Sequence, residues 1–319
     1  MKASGVTVAA LCAFILSAPA MAQPNATAPA SPQAKAANPK VDLAYGAFQR
    51  GRYLTALNEA TKRAQQNDPT AMTLLGELYA QGLGVAQDDK KAVDWYKLAA
   101  EHGDRDAMFA LAMFALQGRG GPRNPDEAAK QLAAAAKLGH AAAAYDLGLL
   151  YLQGQQFPQD FAHAAQLFEQ AALAGNAEAQ YALAEMYKEG RGVPKDLTKA
   201  AHLLALASVA GNVDAMVEYA IAEFNGMGVA RNEADAARLL LIAARRGSPI
   251  AQDRLARVLM AGRGMPANPT EAIKWHIISR SAGDSDPDLD AFAAQQPPAV
   301  REAAEKAAKK WMSTLSPRS

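Results

Sequence analysis

Residues 68–103 read DPTAMTLLGELYAQGLGVAQDDKKAVDWYKLAAEHG, and the reading of this segment decides the fold. Asp68 and Pro69 open one helix, Gly82-Leu83-Gly84-Val85 breaks it, Asp88 caps a second helix and Gly103 ends that one. The layout then returns with a step of 36 residues. One glycine series runs through Gly82, Gly118, Gly154, Gly190, Gly226 and Gly262, and a second keeps the same step through Gly103, Gly139, Gly175, Gly211, Gly247 and Gly283. A fixed period of this length marks a solenoid of stacked helix pairs, in which no unit buries its apolar face alone.

Two cap series run in phase with the glycines. Before each first helix stand Asp68, Asp104, His140, Asn176, Asn212, Ser248 and Asp284, and before each second helix stand Asp88, Asn124, Asp160, Asp196, Asn232 and Asn268. With the exception of His140, all are short acceptors suited to the orphan N–H groups of a helix start. Asn124-Pro125-x-Glu127 and Asn268-Pro269-x-Glu271 add proline at the first helical position and a carboxylate placed for a capping box. Alanines at Ala71, Ala107, Ala143, Ala179, Ala215 and Ala251 mark close approach on the first helices. Leu75, Leu111, Leu147, Leu183, Tyr219 and Leu255 are their core candidates, facing Trp95, Leu132, Leu167, Leu203, Leu239 and Trp275 on the second. The fold class that follows is all-α, a right-handed α/α superhelical solenoid of stacked antiparallel helix pairs.

The run Ala71, Leu75, Gly76, Tyr79, Gly82, Gly84, Val85, Asp88, Ala92, Trp95, Tyr96, Ala99, Ala100 and Gly103 resembles the Sel-one-like repeat family, a branch of the tetratricopeptide-type helical repeats. The resemblance covers about residues 68–283 as six units and implies a scaffold, because the matched residues build the frame and not a site. Outside it, residues 41–67 read as an atypical N-terminal helix pair. Residues 284–319 read as a partial repeat and a capping helix, with Val300, Ala304, Ala307, Ala308 and Trp311 along one face.

At the N-terminus, Lys2, the apolar run Val6 to Leu16 and Ala20-Met21-Ala22 form the three-part pattern of a secretory signal peptide, cut after Ala22. Residues 23–40 read as a flexible leader rich in alanine and proline. The apolar run is too short to span a bilayer, and no transmembrane span is expected after signal removal. The sole cysteine, Cys12, lies in the signal, so an exported mature chain without cysteine points to the periplasm and to stability from packing. Losing Lys2 takes 33 basic residues to 32, against 32 acidic. A neutral mature chain argues against a nucleic-acid partner, which needs a basic face.

Chemistry is sparse. His102, His140, His163, His202 and His276 fall at different phases of the repeat and in no metal-ligand spacing. Asp284, Asp286, Asp288 and Asp290 alternate like a calcium loop, but Leu289 replaces its glycine and Gln295 its bidentate glutamate. No nucleophile motif or phosphate loop is present. No catalytic residue, cofactor or metal is therefore expected.

What remains is surface. The loop Gln155-Gln156-Phe157-Pro158-Gln159 departs most from the repeat, and Gln155, Gln156, Phe157 and Gln159 are the candidate partner-binding residues. Phe157 also aligns with Val85, Val193 and Val229 as an apolar turn filler. The expected function is a non-enzymatic periplasmic interaction scaffold or regulator. The exported, repeat-built layout is similar to that of ExoR-type proteins, a resemblance that implies an envelope sensor kinase as the inhibited partner. An assembly factor of the envelope, association with peptidoglycan or saccharide, and self-assembly into a structural protein stay open as alternatives.

Overall fold

The computed structural model describes residues 42–154, 157–284 and 286–315. The expected signal peptide and leader lie outside the described residues. A first short pair, α1 (Leu43–Gln49) and α2 (Tyr53–Ala64), is followed by six pairs: α3 (Pro69–Gln81) and α4 (Asp89–Glu101), α5 (Arg105–Gln117) and α6 (Pro125–Lys137), α7 (Ala141–Gln153) and α8 (Phe161–Leu173), α9 (Ala177–Glu189) and α10 (Leu197–Val209), α11 (Val213–Asn225) and α12 (Glu233–Arg245), α13 (Pro249–Ala261) and α14 (Pro269–Ser281). The chain ends in α15 (Pro287–Ala294) and α16 (Pro298–Leu315). No strand occurs among the described residues.

The described residues form two compact units. The first runs to Gln131 and includes Gln153 and Gly154; the second takes Leu132–Leu152 and Phe157 onward. Within each, consecutive helices pack on one another, so the expected all-α stack of helix pairs is what the chain forms.

Local chemistry sets the helix ends. Asp68, Asp104, Asn176, Asn212 and Ser248 each accept the backbone N–H three residues on, at 2.7–3.3 Å. His140 does the same through Nδ1, accepting from Ala143 N–H at 3.1 Å. Each such cap is worth about 1 kcal/mol. Two expectations need correction. The cap of α15 is Asp286, not Asp284, because Pro287 takes the first helical position and Asp286 accepts from the N–H groups of Asp288 and Leu289. Nor do Glu127 and Glu271 reach back as capping-box carboxylates: Glu127 accepts from Gln131, and Glu271 pairs with Lys274.

Inside a pair, size is matched. A Cβ on Gly76 would lie 2.5 Å from the Tyr96 ring, and one on Gly148 2.6 Å from Phe168. At the corresponding positions of later pairs, alanine on the first helix and leucine on the second share one buried cluster: Ala184 with Leu204, Ala220 with Leu240. The second-helix core position is thus that of Tyr96, Leu132, Phe168, Leu204 and Leu240. Leu203 and Leu239, expected there, are only partly buried.

Between pairs, side chains pack as Tyr96 does on Phe114 at 5.5 Å, but the closest contact is backbone. Gly192, Gly228 and Gly264 lie so close to the first turn of the preceding second helix that a Cβ would sit 2.2, 2.0 and 2.1 Å from the carbonyl oxygens of Phe161, Leu197 and Glu233. Arginine one residue earlier reinforces the same seam. Arg119 pairs with Asp89 at 2.6 Å and donates to the Ala80 carbonyl, and Arg263 pairs with Glu233 at 2.6 Å. The C-terminal end is closed by α16, which buries Ala304 and Ala308 and sets Trp311 edge-on to Trp275 at 5.3 Å, with Lys274 Nζ over both rings.

Gly228 and Gly247 both have positive φ, but only Gly228 is crowded. Urea denaturation should therefore show Gly228→Ala losing about 3 kcal/mol or more, and Gly247→Ala about 1 kcal/mol. Equal losses would mean that backbone conformation and not the seam sets the cost. Gly148→Ala should cost about 1–3 kcal/mol through overpacking, and adding Phe168→Leu should recover much of it. An additive loss in the double variant would refute the size match.

Candidate functional site

Of the residues singled out from the sequence, Gln155 and Gln156 lie outside the described residues. Phe157 is half-buried and Gln159 is exposed, and both brace the loop. The Phe157 ring stacks on Tyr151 at 4.9 Å, and Tyr151 meets His163 edge-on. Gln159 Nε2 donates to the Leu152 carbonyl at 2.8 Å, as Gln87 Nε2 does to the Ala80 carbonyl in an earlier pair. A bond repeated in a second unit belongs to the frame. Gly82, Gly118, Gly154, Gly190, Gly226 and Gly262 end the first helices with φ of 66–75° and are likewise frame.

The histidines do not converge. His276 is buried, with Nε2 2.9 Å from Asp290 Oδ1, while His140 is a cap and His102 ends α4. The alternating aspartates are engaged by protein groups. Asp286 pairs with Arg257 at 2.5 Å, and Asp290 is shared by His276 and Arg280. Among the described residues no group of three His, Cys, Asp or Glu could hold a metal. No described helix is long and apolar enough to cross a membrane.

The side chains that do converge lie on the first helices, on the face turned away from their second-helix partners. In the second unit that face is built at helical spacing from Asp146, Leu149 and Leu152 of α7, Glu185 and Lys188 of α9, and Glu218, Ile221 and Phe224 of α11, while Tyr145 and Tyr181 lean inward, Tyr145 onto the Phe168 ring of α8. None of these positions is dictated by the repeat. The helices α7, α9 and α11 together carry Asp146, Glu178, Glu185, Glu189, Asp214, Glu218 and Glu223, against Lys188 as their single basic residue. Lys188 bridges Glu185 at 2.7 Å and Glu218 at 3.0 Å, tying α9 to α11.

Burial gives this face unusual electrostatics. Burial alone pushes the Asp146 carboxyl up to about 6. Burial, with Glu178 and Asp146 nearby, pushes the Tyr145 phenol up to about 12. Burial also raises Glu185, against the pull of Lys188. The Tyr145 phenol stays neutral, but the two carboxyls are held partly out of water, where their charged forms interact strongly with whatever covers them.

At α13 the sign changes. A cleft of about 320 Å³ opens between α11 and α13, floored by Ile221, Phe224, Val258 and Met260 and walled by Arg254, Arg257 and Arg263. A larger concavity, about 420 Å³, lies between α8 and α10 on the second-helix face, over Leu183, Leu203 and Tyr187. The sequence pattern pointed to neither: it marks Leu183 and Leu203 as core candidates only, and Arg254 and Arg257 of the other cleft stand at positions that vary from pair to pair.

The chain is similar in structure to a Sel1 repeat protein from Oxalobacter formigenes, at 26% identity and TM-score 0.63 over 81% of this chain and 100% of that one. It also shares the fold of a protective antigen of uropathogenic Escherichia coli displaying an SLR fold, at 22% identity and TM-score 0.55 over 86% of this chain and 68% of that one. No curated protein matches the chain at a significant level. The Sel1 repeat model matches residues 69–104, 105–140, 141–176, 177–212, 213–248 and 249–284, six consecutive units that coincide with the pairs α3/α4 to α13/α14. The chain belongs to the Sel1 repeat family, whose repeats serve as scaffolds for protein–protein interaction.

Proposed function

We propose that this protein is an exported, non-enzymatic interaction scaffold of the periplasm that regulates an envelope sensor kinase, and that the first-helix face of its second unit is the surface that meets the partner. One observation carries the choice of face. The frame residues of each pair are buried or capped, while this face holds the Asp146 and Glu185 carboxyls at a desolvation cost that packing does not require. Asp146 is the sharpest case. Equivalent positions on α3, α5 and α9 carry Leu74, Ala110 and Ala182, so a carboxyl is no requirement of the stack. A group kept against stability on an exposed face is the signature of use. The signal pattern ending at Ala22 and the cysteine-free remainder support export.

A photo-crosslinking side chain placed at Leu149 or Ile221, in cells expressing the full chain, should capture a membrane sensor protein, whereas one at the exposed Leu206 should not. Capture of envelope-assembly proteins would replace the regulatory reading with an adaptor. Capture only from Leu206 would overturn the choice of face. Recovery of the chain itself or of wall fragments would move the assignment to self-assembly or to peptidoglycan association.

Asp146 provides a separate test. Its folded pKa lies above the unfolded value, so the folded chain binds the proton more tightly and stability falls as pH climbs from about 4 to about 6. Asp146→Asn removes this penalty and at pH 7 should raise stability by on the order of 2 kcal/mol, less whatever residual solvation the half-buried side chain retains. The gain should fade as pH falls toward about 4 and be gone below about 3, where the carboxyl is protonated in both states of the parent. Partner capture should weaken in the same variant. A variant that is no more stable at neutral pH would remove Asp146 from the account.

A further inference from the structure

The cleft between α11 and α13 has a composition that names its occupant. Its lining contains three arginines and no carboxylate, around an apolar floor of Ile221, Phe224, Val258 and Met260. Two of the arginines are already committed. Arg257 reaches Asp286 at 2.5 Å and Asp253 at 3.5 Å, and Arg263 pairs with Glu233 while its guanidinium lies 4.3 Å from the centre of the Phe224 ring. These partners sit behind the arginines and hold them in place as walls. Arg254 differs: it is exposed, and among the described residues it pairs with no carboxylate. The cleft therefore presents one uncommitted positive charge beside a dry floor large enough for a bulky side chain.

The direction of approach follows from the neighbouring helices. From α7 to α11 the same face is acidic, with Lys188 already bridging two glutamates. An extended segment lying across the first helices thus meets negative charge first and positive charge at α13.

We propose that the α11/α13 cleft takes a large apolar side chain of an extended partner segment whose adjacent carboxylate pairs with Arg254, with the basic residues of that segment lying over α9 and α11. The inference rests on the reading of the first-helix face as the partner surface, and it adds the chemistry of the partner. Electrostatic complementarity of this kind selects partner and orientation more than it adds raw affinity. Occupancy of the cleft supplies the buried anchor that such interfaces need.

The test uses the full mature chain and three fluorescein-labelled peptides, each with an N-terminal Lys-Lys pair and a Gly-Ser spacer, ending in Phe-Glu-Gly, Phe-Lys-Gly or Ala-Glu-Gly amides. Fluorescence anisotropy should show the Phe-Glu peptide binding about tenfold more tightly than either of the others, with the preference shrinking as salt is raised. Arg254→Glu should lose that preference and favour the Phe-Lys peptide; because Arg254 is exposed and unpaired, its melting temperature should match the parent, which separates recognition from folding. Equal binding of all three peptides, no binding of any, or an unchanged preference in Arg254→Glu overturns the proposal. Crosslinking from Leu149 that persists alongside such a result would leave the partner surface standing and remove the cleft alone. Loss of both would remove the surface as well.

Discussion

The stack rests on a contact in which no side chain takes part on one side. At Gly228 a single added carbon would lie 2.0 Å from the Leu197 carbonyl, and Gly192 and Gly264 repeat the situation within a few tenths of an ångström. Because backbone meets backbone there, the separation of successive pairs is fixed by covalent geometry and not by side-chain choice. Everything else is placed by that spacing. It sets the arginines of the loops against the acidic starts of the preceding second helices, as in Arg119 with Asp89 and Arg263 with Glu233. Those partly exposed pairs contribute about 1 kcal/mol or less each, so they register the seam more than they hold it. The same spacing aligns α7, α9, α11 and α13 so that residues from four helices share one face.

Side-chain packing runs through and between pairs, as where Tyr96 of α4 meets Phe114 of α5, and inside a pair it follows a rule of complementary size. Glycine faces an aromatic ring at Gly76 with Tyr96 and at Gly148 with Phe168, and alanine faces leucine elsewhere. Close packing leaves no room for both partners to be large. The α13/α14 pair breaks the pattern: Ala256 has His276 as its counterpart, a buried imidazole tied to Asp290 of α15. That is where the repeat gives way to the cap, and the polar contact takes the place of the apolar core that a further pair would have supplied.

The frame was legible in the sequence because each of its parts is a backbone requirement with a narrow chemical answer. A helix start leaves backbone N–H groups without an intrahelical acceptor and asks for Asp, Asn or Ser, and the expected cap positions were found within the six pairs, His140 included. The misreadings came where two chemical answers compete. Asp284 and Asp286 both suit a cap, and Pro287 decides between them. Leu203 and Leu204 are equally apolar, and the helix phase that buries Leu204 is fixed by packing, which a one-residue shift in reading conceals. The site was hardly legible at all. Asp146, Arg254 and Ile221 stand at positions with no repeat preference, so nothing in the period marks them; their meaning appears only when helices 36 residues apart are laid side by side. Conversely, the Gln159 side chain looked distinctive in a distinctive loop, yet Gln87 makes the same bond.

The two kinds of contact divide along the chain in a way that bears on how such proteins change length. Complementary side chains that must be altered together, Gly148 with Phe168 or Ala220 with Leu240, lie inside one 36-residue unit. The closest contact at the junction asks for a glycine and a second-helix start, both of which a complete unit carries near its middle, beside side chains such as Tyr96 and Phe114 that meet across it. A unit copied or lost by unequal recombination therefore takes its own packing partners with it and leaves behind a junction that still closes. Copy number is the cheap variable in this architecture. The costly one is the register of the exposed face, because each inserted unit separates side chains that had been neighbours and composes a new surface from an unchanged frame.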